Sequence, residues 1–174
     1  FERNTFDNQV IVITGAASGL GKAAAKLIQS RGATVISLDL NKEGLAGSAE
    51  SYQLDVSDQA AVFKVIADIQ SKHKRIDALI NCAGYPGPTT EFVEDIKWPD
   101  YEKVMAVNLY GAIWLTQAVL PIMKSQKYGR IVQVASIAGK EGNPKMAPYN
   151  TSKSGLIGFV KGVAKEVATM GITV

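Results

Sequence analysis

Tyr149 and Lys153 are the residues whose types and spacing most directly suggest acid–base chemistry in this sequence. They stand four positions apart in the stretch APYNTSK, which is expected to be helical, so both side chains would share one helical face. A free phenol has a pKa of about 10 and a free ammonium one of about 10.4, so neither is a useful base alone at neutral pH. Lowering the pKa of a phenol by about 3 units requires about 4 kcal/mol. An ammonium about 5 Å away supplies on the order of 3 kcal/mol of that. The pair therefore predicts a tyrosine that transfers a proton beside a positive charge.

Ser136 supports this interpretation of the pair. An isolated tyrosine and lysine at this spacing is usually a surface contact of small energy. Ser136, however, stands at the end of a predicted strand, and the carboxyl ends of parallel strands are where such folds bind ligands. A serine hydroxyl there is a candidate to hold a substrate oxygen.

A glycine-rich stretch near the N-terminus, TGAASGLG at 14–21, predicts a dinucleotide site. It directly follows a predicted strand and directly precedes a predicted helix. Gly15 can make the tight turn, Gly19 and Gly21 allow backbone and helix to approach a pyrophosphate, and the helix N-terminus offers free N–H groups. The alternative is a glycine-rich turn without a ligand.

Asp39 indicates which dinucleotide would bind. It ends the second predicted strand, where a carboxylate can accept both ribose hydroxyls of the adenosine. A 2′-phosphate would meet that carboxylate as a like charge, and neither Ser18 nor Leu40 supplies the arginine that a phosphate-tolerant site would want. The sequence therefore favours NAD over NADP.

The elements that must position these residues are short β-branched runs that alternate with longer amphipathic segments. Such alternation implies right-handed crossovers and a parallel sheet covered on both faces. Because the chain reverses direction after the third strand, we expect an α/β doubly wound sheet of order 3-2-1-4-5 and the start of a sixth strand at about Gly171. The expected strands are 9–14, 33–39, a weaker one near 52–54, 77–81 and 129–136, and the expected helices are about 20–31, 58–74, 99–125 and 150–169.

Several single residues carry further expectations. Pro121 should kink the third long helix or end it early. His73 is expected to be a solvated cation at a helix end, and Trp98 and Trp114 are expected to serve packing or an interface. The connection from 40 to 51 is near the minimum length for a crossover.

The motifs together resemble the short-chain dehydrogenase/reductase family, in order, with ordinary gaps and over essentially the whole chain. The residues that carry this resemblance are Thr14, Gly15, Gly19, Gly21, Asp55, Val56, Asn81, Cys82, Ala83, Gly84, Asn108, Ser136, Tyr149 and Lys153. Cys82 departs from the family pattern, in which an asparagine is common, and is interpreted as a buried structural thiol.

The resemblance implies a Rossmann fold and a set of site residues. Tyr149 would be the acid/base, Lys153 its pKa modulator and ribose ligand, Ser136 the holder of the substrate oxygen and Asn108 part of a proton relay. The family pattern assigns cofactor contacts to Gly15, Ser18, Gly19, Leu20, Gly21, Asp39, Leu40, Asp55, Val56, Asn81, Ala83, Gly84, Tyr149 and Lys153. The chain would then be one NAD-binding domain, 1–174, without the substrate lid and last strand found in the family.

Composition limits the classes of partner. Net charge is +3, from 19 basic and 16 acidic residues spread along the chain, which disfavours nucleic acid. No apolar run approaches the roughly 20 residues that span a bilayer, and no cluster shows metal-ligand spacing. The N-terminal stretch 1–8 lacks the apolar core of a signal peptide and Cys82 is the only cysteine, so we expect a cytoplasmic protein.

Two function classes remain open after this reasoning. The first is an NAD-linked oxidoreductase acting on a secondary alcohol or ketone, and the second is a catalytically silent NAD-binding fragment. The stretch 136–144 resembles family members that act on sugar acids and hydroxy acids as well as 3-oxoacyl thioester reductases, and Lys140 or Lys145 is a candidate partner for a substrate carboxylate.

Assembly is predicted from the two long C-terminal helices. They carry apolar residues on more than one face, which suggests that each packs on the sheet and on a second subunit. Family members pair these helices, so we expect a homodimer or homotetramer. The residues concerned are Trp114, Leu115, Leu156, Ile157 and Phe159.

Overall fold

The structure, a computed structural model, describes residues 5–174. Residues 1–4, which contributed to the prediction that no signal peptide is present, lie outside that part. The strands are β1 (Val10–Thr14), β2 (Thr34–Asp39), β3 (Glu50–Gln53), β4 (Ala78–Asn81), β5 (Gly129–Gln133) and β6 (Ile172–Thr173). The α-helices are α1 (Gly19–Gln29), α2 (Gln59–His73), α3 (Trp98–Met105), α4 (Gly111–Gln126), α5 (Ala138–Glu141) and α6 (Ala147–Val167).

These strands pair in parallel in one sheet of order β3-β2-β1-β4-β5-β6. The predicted doubly wound sheet is confirmed, including the start of a sixth strand. The chain builds outward from β1 to β3 and then returns to place β4 beside β1. Because the direction of the crossovers reverses there, a crevice opens at the carboxyl ends of β1 and β4.

Side chains on the two faces of the sheet form two hydrophobic layers, since successive strand residues point to opposite faces. Ile11 and Ile13 of β1 belong to the layer that includes α1, whereas Val12 belongs to the layer that includes α2 and α4. The α2 residues in the second layer recur with the spacing of a helical face. They are Val62, Val65, Ile66 and Ile69.

The connection between β2 and β3 is as short as the sequence indicates. It contains a single 3-10 turn, Glu43–Leu45. Leu45 is 3% exposed and belongs to the layer that includes α1, so this turn takes the place of a full crossover helix.

The helical stretch between β4 and β5 is interrupted by a π-helical turn, Ala106–Tyr110, between α3 and α4. Of the two effects expected of Pro121, a kink or an early end of the helix, the early end is wrong, because α4 continues through Pro121 to Gln126. Proline removes the hydrogen bond to the carbonyl four residues earlier. That carbonyl belongs to Gln117, which is exposed like Pro121, so water can satisfy it.

Among residues 5–174, one helical stretch, Trp98–Gln126, is long and apolar enough to cross a membrane, with a mean hydropathy of 1.3. Leu115, Val119 and Met123 of its α4 part are fully buried in the hydrophobic core. A core helix of a packed domain meets the same criterion, so this is weak evidence for a membrane span.

β5 is shorter than predicted and ends at Gln133. Ser136 therefore lies in the loop that follows, and the interpretation that this serine ends a strand is wrong. The ladder partner of Gln133 is Asn81, the last residue of β4. Once β4 ends, β5 has no neighbour to prolong its ladder.

α6 begins at Ala147, earlier than the predicted 150. Pro148 stands in its first turn, where a missing N–H leaves no intrahelical bond unmade. Tyr149 and Lys153 consequently both lie within α6, four positions apart.

His73 is mostly shielded from solvent, although its position at a helix end predicts that it would be exposed. Its side chain is 15% exposed, and its Nε2 lies 3.1 Å from both carboxylate oxygens of Glu50 on β3. The Lys72 ammonium lies 2.8 Å from Glu50 Oε2, and the Tyr52 hydroxyl donates to Oε1 at 3.0 Å. Burial alone would raise the pKa of Glu50, but hydrogen bonds from Lys72, His73 and Tyr52 together outweigh it and hold that pKa below its usual 4.5.

Glu50→Gln should therefore lower stability in a pH-dependent way. A carboxyl whose folded pKa is depressed stabilises the fold above its unfolded pKa and loses that contribution as the pH falls through the folded value. We expect a loss of about 1 kcal/mol at pH 7 that shrinks below about pH 4. Urea denaturation across this pH range would measure it.

Glu43→Gln is the matched control, because Glu43 is exposed and forms no ion pair among the described residues. Its stability should follow the wild type at every pH. If the stability difference between Glu50→Gln and the wild type stayed constant down to pH 3, it would contradict the assignment of this charge cluster.

Candidate active site

A chain of buried and partly buried hydrogen bonds links the carboxyl ends of β1, β4 and β5. The Thr14 hydroxyl donates to Asn81 Oδ1, and the Asn81 amide donates to Gln133 Oε1 at 2.7 Å. The Gln133 amide donates to Thr116 Oγ1 of α4 at 3.0 Å. Thr14 also accepts a hydrogen bond from the Ala83 backbone at 3.2 Å, which fixes the segment after β4. The three strand ends are thus held together by side chains as well as by the ladder.

The glycine stretch forms a tight turn between β1 and α1. Gly15 has a φ of 65°, and a Cβ there would lie 2.8 Å from the backbone of Cys82. A Cβ at Gly21 would lie 2.2 Å from the Gly15 carbonyl oxygen, so helix and turn pack too closely for any side chain. Packing therefore requires glycine at both positions.

Gly19 is glycine for a different reason. Its φ is 49°, yet a Cβ there would have no heavy atom within 4 Å. Protein packing does not fill the space beside it. An open backbone at a helix N-terminus fits a phosphate group, which needs close approach to N–H donors.

Asp39 connects the glycine stretch to the end of β2. Its Oδ2 accepts from the Ala17 backbone and its Oδ1 from the Asn41 backbone, each at 2.9 Å. A carboxylate oxygen has two lone-pair sites, so each oxygen retains one acceptor site. This geometry leaves Asp39 able to accept two hydroxyl groups of a ligand.

The groove at the crevice, which we call the β1–β4 groove, has a volume of about 460 Å³. It brings together most of the predicted cofactor residues, namely Gly15, Ser18, Gly19, Leu20, Gly21, Asp39, Leu40, Asp55, Val56, Ala83 and Gly84. Asn81, Tyr149 and Lys153 do not line it. The side chain of Asn81 is instead hydrogen-bonded to Thr14 and Gln133.

Sequence reasoning missed several residues that also line the groove. These are Leu38, Leu54, Cys82, Tyr85, Lys103 and Val107. Tyr85 directly follows the Asn81–Gly84 motif, and Lys103 and Val107 stand four positions apart before Asn108 on one helical face. That spacing is the signal that could have identified them.

Lys153 occupies an unusual position for a lysine, because the residue is only 4% exposed. Its Nζ donates to the Val134 carbonyl at 2.7 Å and lies 5.8 Å from the centroid of the Tyr149 ring. A Cβ on Gly84 would lie 3.9 Å from that Nζ, so the ammonium adjoins the groove. Burial lowers the pKa of Lys153, and the nearby Cys82 partly opposes this.

Ser136 and the loop that carries it are fixed against α6. The Ser136 hydroxyl oxygen accepts from the Ala138 backbone at 3.2 Å, at the start of α5. A Cβ on Gly139 would lie 2.7 Å from the Lys153 backbone, and Ser154 donates to the Gly139 carbonyl at 2.6 Å. α5 therefore packs directly on the turn of α6 that contains Lys153.

Asn108 lies in the π-helical turn and is 1% exposed. Its Oδ1 accepts from the Tyr85 backbone N–H at 2.7 Å, and its Nδ2 donates to the Tyr85 carbonyl at 2.8 Å and to Ser152 Oγ at 3.1 Å. Ser152 in turn donates to the Tyr149 carbonyl at 2.8 Å. The Asn108 amide thus joins the segment after β4 to the first turns of α6.

Cys82 is half-buried at the back of the groove. Burial raises the pKa of its thiol, although the nearby Lys153 partly opposes this. A thiol kept protonated is a poor nucleophile, which agrees with a structural role.

Comparison with known proteins gives the family. A family profile described as short chain dehydrogenase matches residues 9–174. The chain is 40% identical to a 3-oxoacyl-(acyl-carrier-protein) reductase of Thermotoga maritima over 97% of this chain and 72% of that relative. It is 41% identical to 2-dehydro-3-deoxy-L-rhamnonate dehydrogenase (NAD(+)) of a Sphingomonas species over 92% of this chain and 67% of that relative.

A solved structure with a similar fold is a xylitol dehydrogenase with bound NAD+. It superposes with a TM-score of 0.90 at 33% identity and covers 97% of this chain and 68% of the other. The motif order predicted this relationship, and the profile match over nearly the whole chain confirms it. The chain belongs to the short-chain dehydrogenase/reductase family.

Proposed function

We propose that this oxidoreductase transfers a hydride between NAD(H) and a secondary alcohol or ketone, with Tyr149 as the general acid/base. The observation that carries this proposal is the buried Lys153 ammonium on the same helix as Tyr149, directly beside the glycine-lined groove. The nicotinamide, when bound, supplies the hydride acceptor or donor. The Tyr149 hydroxyl would give its proton to the ketone oxygen during reduction, and the Tyr149 phenolate would take the proton of the alcohol during oxidation.

Lys153 has two tasks in this proposal. Its positive charge is shielded from water, so its attraction for a phenolate is stronger than that of a surface lysine. One of its three N–H donors is used by Val134, which leaves two for ribose hydroxyls of the cofactor. Ser136 would hold the substrate oxygen on the facing loop.

We propose that Asn108 holds neighbouring segments of the site in place. Its side-chain amide is engaged by Tyr85 and Ser152, so a relay through that amide would require breaking these bonds. It keeps the segment after β4 at a fixed distance from the helix that carries Tyr149.

NAD is proposed as the cofactor because of Asp39, whose carboxylate retains acceptor sites for two ribose hydroxyls and would repel a 2′-phosphate. Two proteins that this chain resembles support this choice: the 2-dehydro-3-deoxy-L-rhamnonate dehydrogenase is named as an NAD(+) enzyme, and the xylitol dehydrogenase was solved with bound NAD+. Asp55 and Val56 are proposed to lie near the adenine, since both line the groove at the end of β3.

The substrate class has two candidates. Similarity to the rhamnonate dehydrogenase favours a sugar acid or hydroxy acid, and similarity to the 3-oxoacyl reductase favours a thioester. Lys145 stands in the loop before α6 with its Nζ 4.5 Å from the centroid of the Phe92 ring. Together with Lys140, it remains the proposed partner for a substrate carboxylate.

Asp39→Asn should reduce the preference for NAD. In the wild type we expect NAD to bind at least about tenfold tighter than NADP, which corresponds to roughly 1.4 kcal/mol. The amide removes the negative charge that repels a 2′-phosphate, so the ratio should fall toward one. Titration calorimetry with both cofactors measures it, and Asp68→Asn, a remote exposed carboxylate, should keep the wild-type ratio. Equal affinities in the wild type would refute the cofactor assignment.

Tyr149→Phe should lower turnover by about 10²–10⁴-fold, the range typical of lost proton transfer, while NAD affinity stays unchanged. Lys153→Met should lose both turnover and affinity, and Ser136→Ala should lose turnover with cofactor binding preserved. Initial rates on the complete polypeptide and calorimetry would separate these effects.

Tyr101→Phe provides the control for the phenol. It also removes one hydroxyl, which lies 2.8 Å from Thr151 Oγ1 on α6, and should leave turnover near wild type. Normal turnover in Tyr149→Phe would end the proposed acid/base role, and a chain that binds NAD without turnover would favour the silent alternative.

Assembly through α4 and α6 and a cytoplasmic location are also proposed. Leu115 and Leu156 are buried within the domain core, so they do not serve an interface. Trp114, Ile157 and Phe159 are only partly buried and remain the candidates.

Phe159→Glu should dissociate the dimer or tetramer because it places a charge in an apolar contact. Sedimentation velocity would detect the change. Phe63→Glu, at a 41% exposed position on α2, should leave assembly intact. A wild type that sediments as a monomer at high concentration would count against this surface.

A further inference from the structure

A lysine and a tyrosine at the edge of the β1–β4 groove form a contact that the acid/base chemistry does not use. Lys103 of α3 and Tyr85, in the segment after β4, both line the groove. The Lys103 Nζ lies 5.0 Å from the centroid of the Tyr85 ring. An ammonium is attracted to the face of an aromatic ring at this distance, so the contact keeps the flexible lysine side chain at the groove.

The tyrosine is a fixed support for that lysine. Its backbone N–H and carbonyl are both bound by the buried Asn108 amide. Two residues further on, a Cβ at Gly87 would lie 2.3 Å from the Val104 side chain, so this segment packs directly on α3 beside Lys103. The ring and the lysine therefore belong to one packed unit.

The charges around the groove are unbalanced for a phosphate ligand. Among the described residues that line it, Lys103 is the only cation, whereas Asp39 and Asp55 are anions. The Lys153 ammonium adjoins the groove beside Gly84 but does not line it, and its free donors are assigned above to ribose. Lys103 also takes part in none of the ion pairs found within residues 5–174. The glycine turn offers only neutral N–H donors and a partial helix charge, while a dinucleotide pyrophosphate carries two negative charges.

We propose that Lys103 is a phosphate-binding residue for the dinucleotide and that the Tyr85 ring positions its ammonium over the groove. The ammonium supplies the positive charge that the glycine turn lacks. A lysine serves phosphate as a point charge and needs no bidentate geometry. This inference rests on the proposed NAD-binding function.

The test compares Lys103→Met with Lys103→Arg, using NAD and adenosine as ligands. At about 50 mM salt, Lys103→Met should weaken NAD binding about fivefold or more, and at about 0.5 M salt the loss should largely disappear through screening. Adenosine has no phosphate, so its affinity should be the same in wild type and Lys103→Met. Lys103→Arg keeps the charge and should bind NAD like the wild type. Titration calorimetry gives NAD affinities, and displacement of NAD gives those of adenosine.

Lys124→Met is the matched control, because Lys124 is an exposed lysine at the far end of the same helical stretch. It should leave NAD affinity unchanged at both salt concentrations. Unchanged NAD affinity in Lys103→Met would overturn the inference, as would an equal loss for NAD and adenosine. A wild type that binds neither ligand would instead contradict the proposed function itself. Thermal unfolding of each variant shows that it is folded.

Discussion

The hydrogen-bond chain from Thr14 through Asn81 and Gln133 to Thr116 is the constraint on which the site depends. Parallel pairing sets the heights at which β1, β4 and β5 end, but it leaves the loops beyond them free. The side-chain bonds remove that freedom, since Thr14 also binds the backbone of Ala83. A buried polar group left without its partner costs about 1–3 kcal/mol, so the members of such a network must form together. The crevice walls are therefore set by polar contacts beneath it.

Lys153 shows how the fold uses an unfavourable position. Placing an ammonium at 4% exposure costs solvation energy, which is the reason its pKa is lowered. The Val134 carbonyl compensates part of that cost at 2.7 Å. What the fold gains is a positive charge that water screens poorly, next to Tyr149 and the groove.

The walls of the groove differ in chemistry because different elements supply them. The glycine turn and α1 offer backbone N–H groups, whereas the end of β2 and the loop after β3 offer the carboxylates Asp39 and Asp55. The remaining wall, Tyr85 with α3, contributes an aromatic ring and an ammonium, and the Asn108 amide fixes it to α6. One buried asparagine thus connects the groove with the helix that carries Tyr149.

The sequence determined the order of strands and helices, the glycine turn and the pairing of Tyr149 with Lys153. These follow from local periodicity, from the conformational freedom of glycine and from the four-residue repeat of a helical face. Boundaries were less certain, because where β5 ends depends on where its neighbour β4 ends. The early helix end expected as one effect of Pro121 does not occur, and only the exposure of Gln117 shows why the helix can continue.

Only the tertiary structure decided which side chains form hydrogen bonds within the protein and which face the groove. Asn81 and Asn108 have the same chemistry in the sequence as a ligand-binding amide, yet their amides are used by Gln133 and by Tyr85 and Ser152. His73 and Glu50 are 23 residues apart in the chain and become partners only through the packing of α2 against β3. Likewise, Lys103 lies beside Tyr85 only because α3 packs against the segment after β4. Burial and long-range partners depend on the packing of elements far apart in sequence, and local pattern carries no information about them.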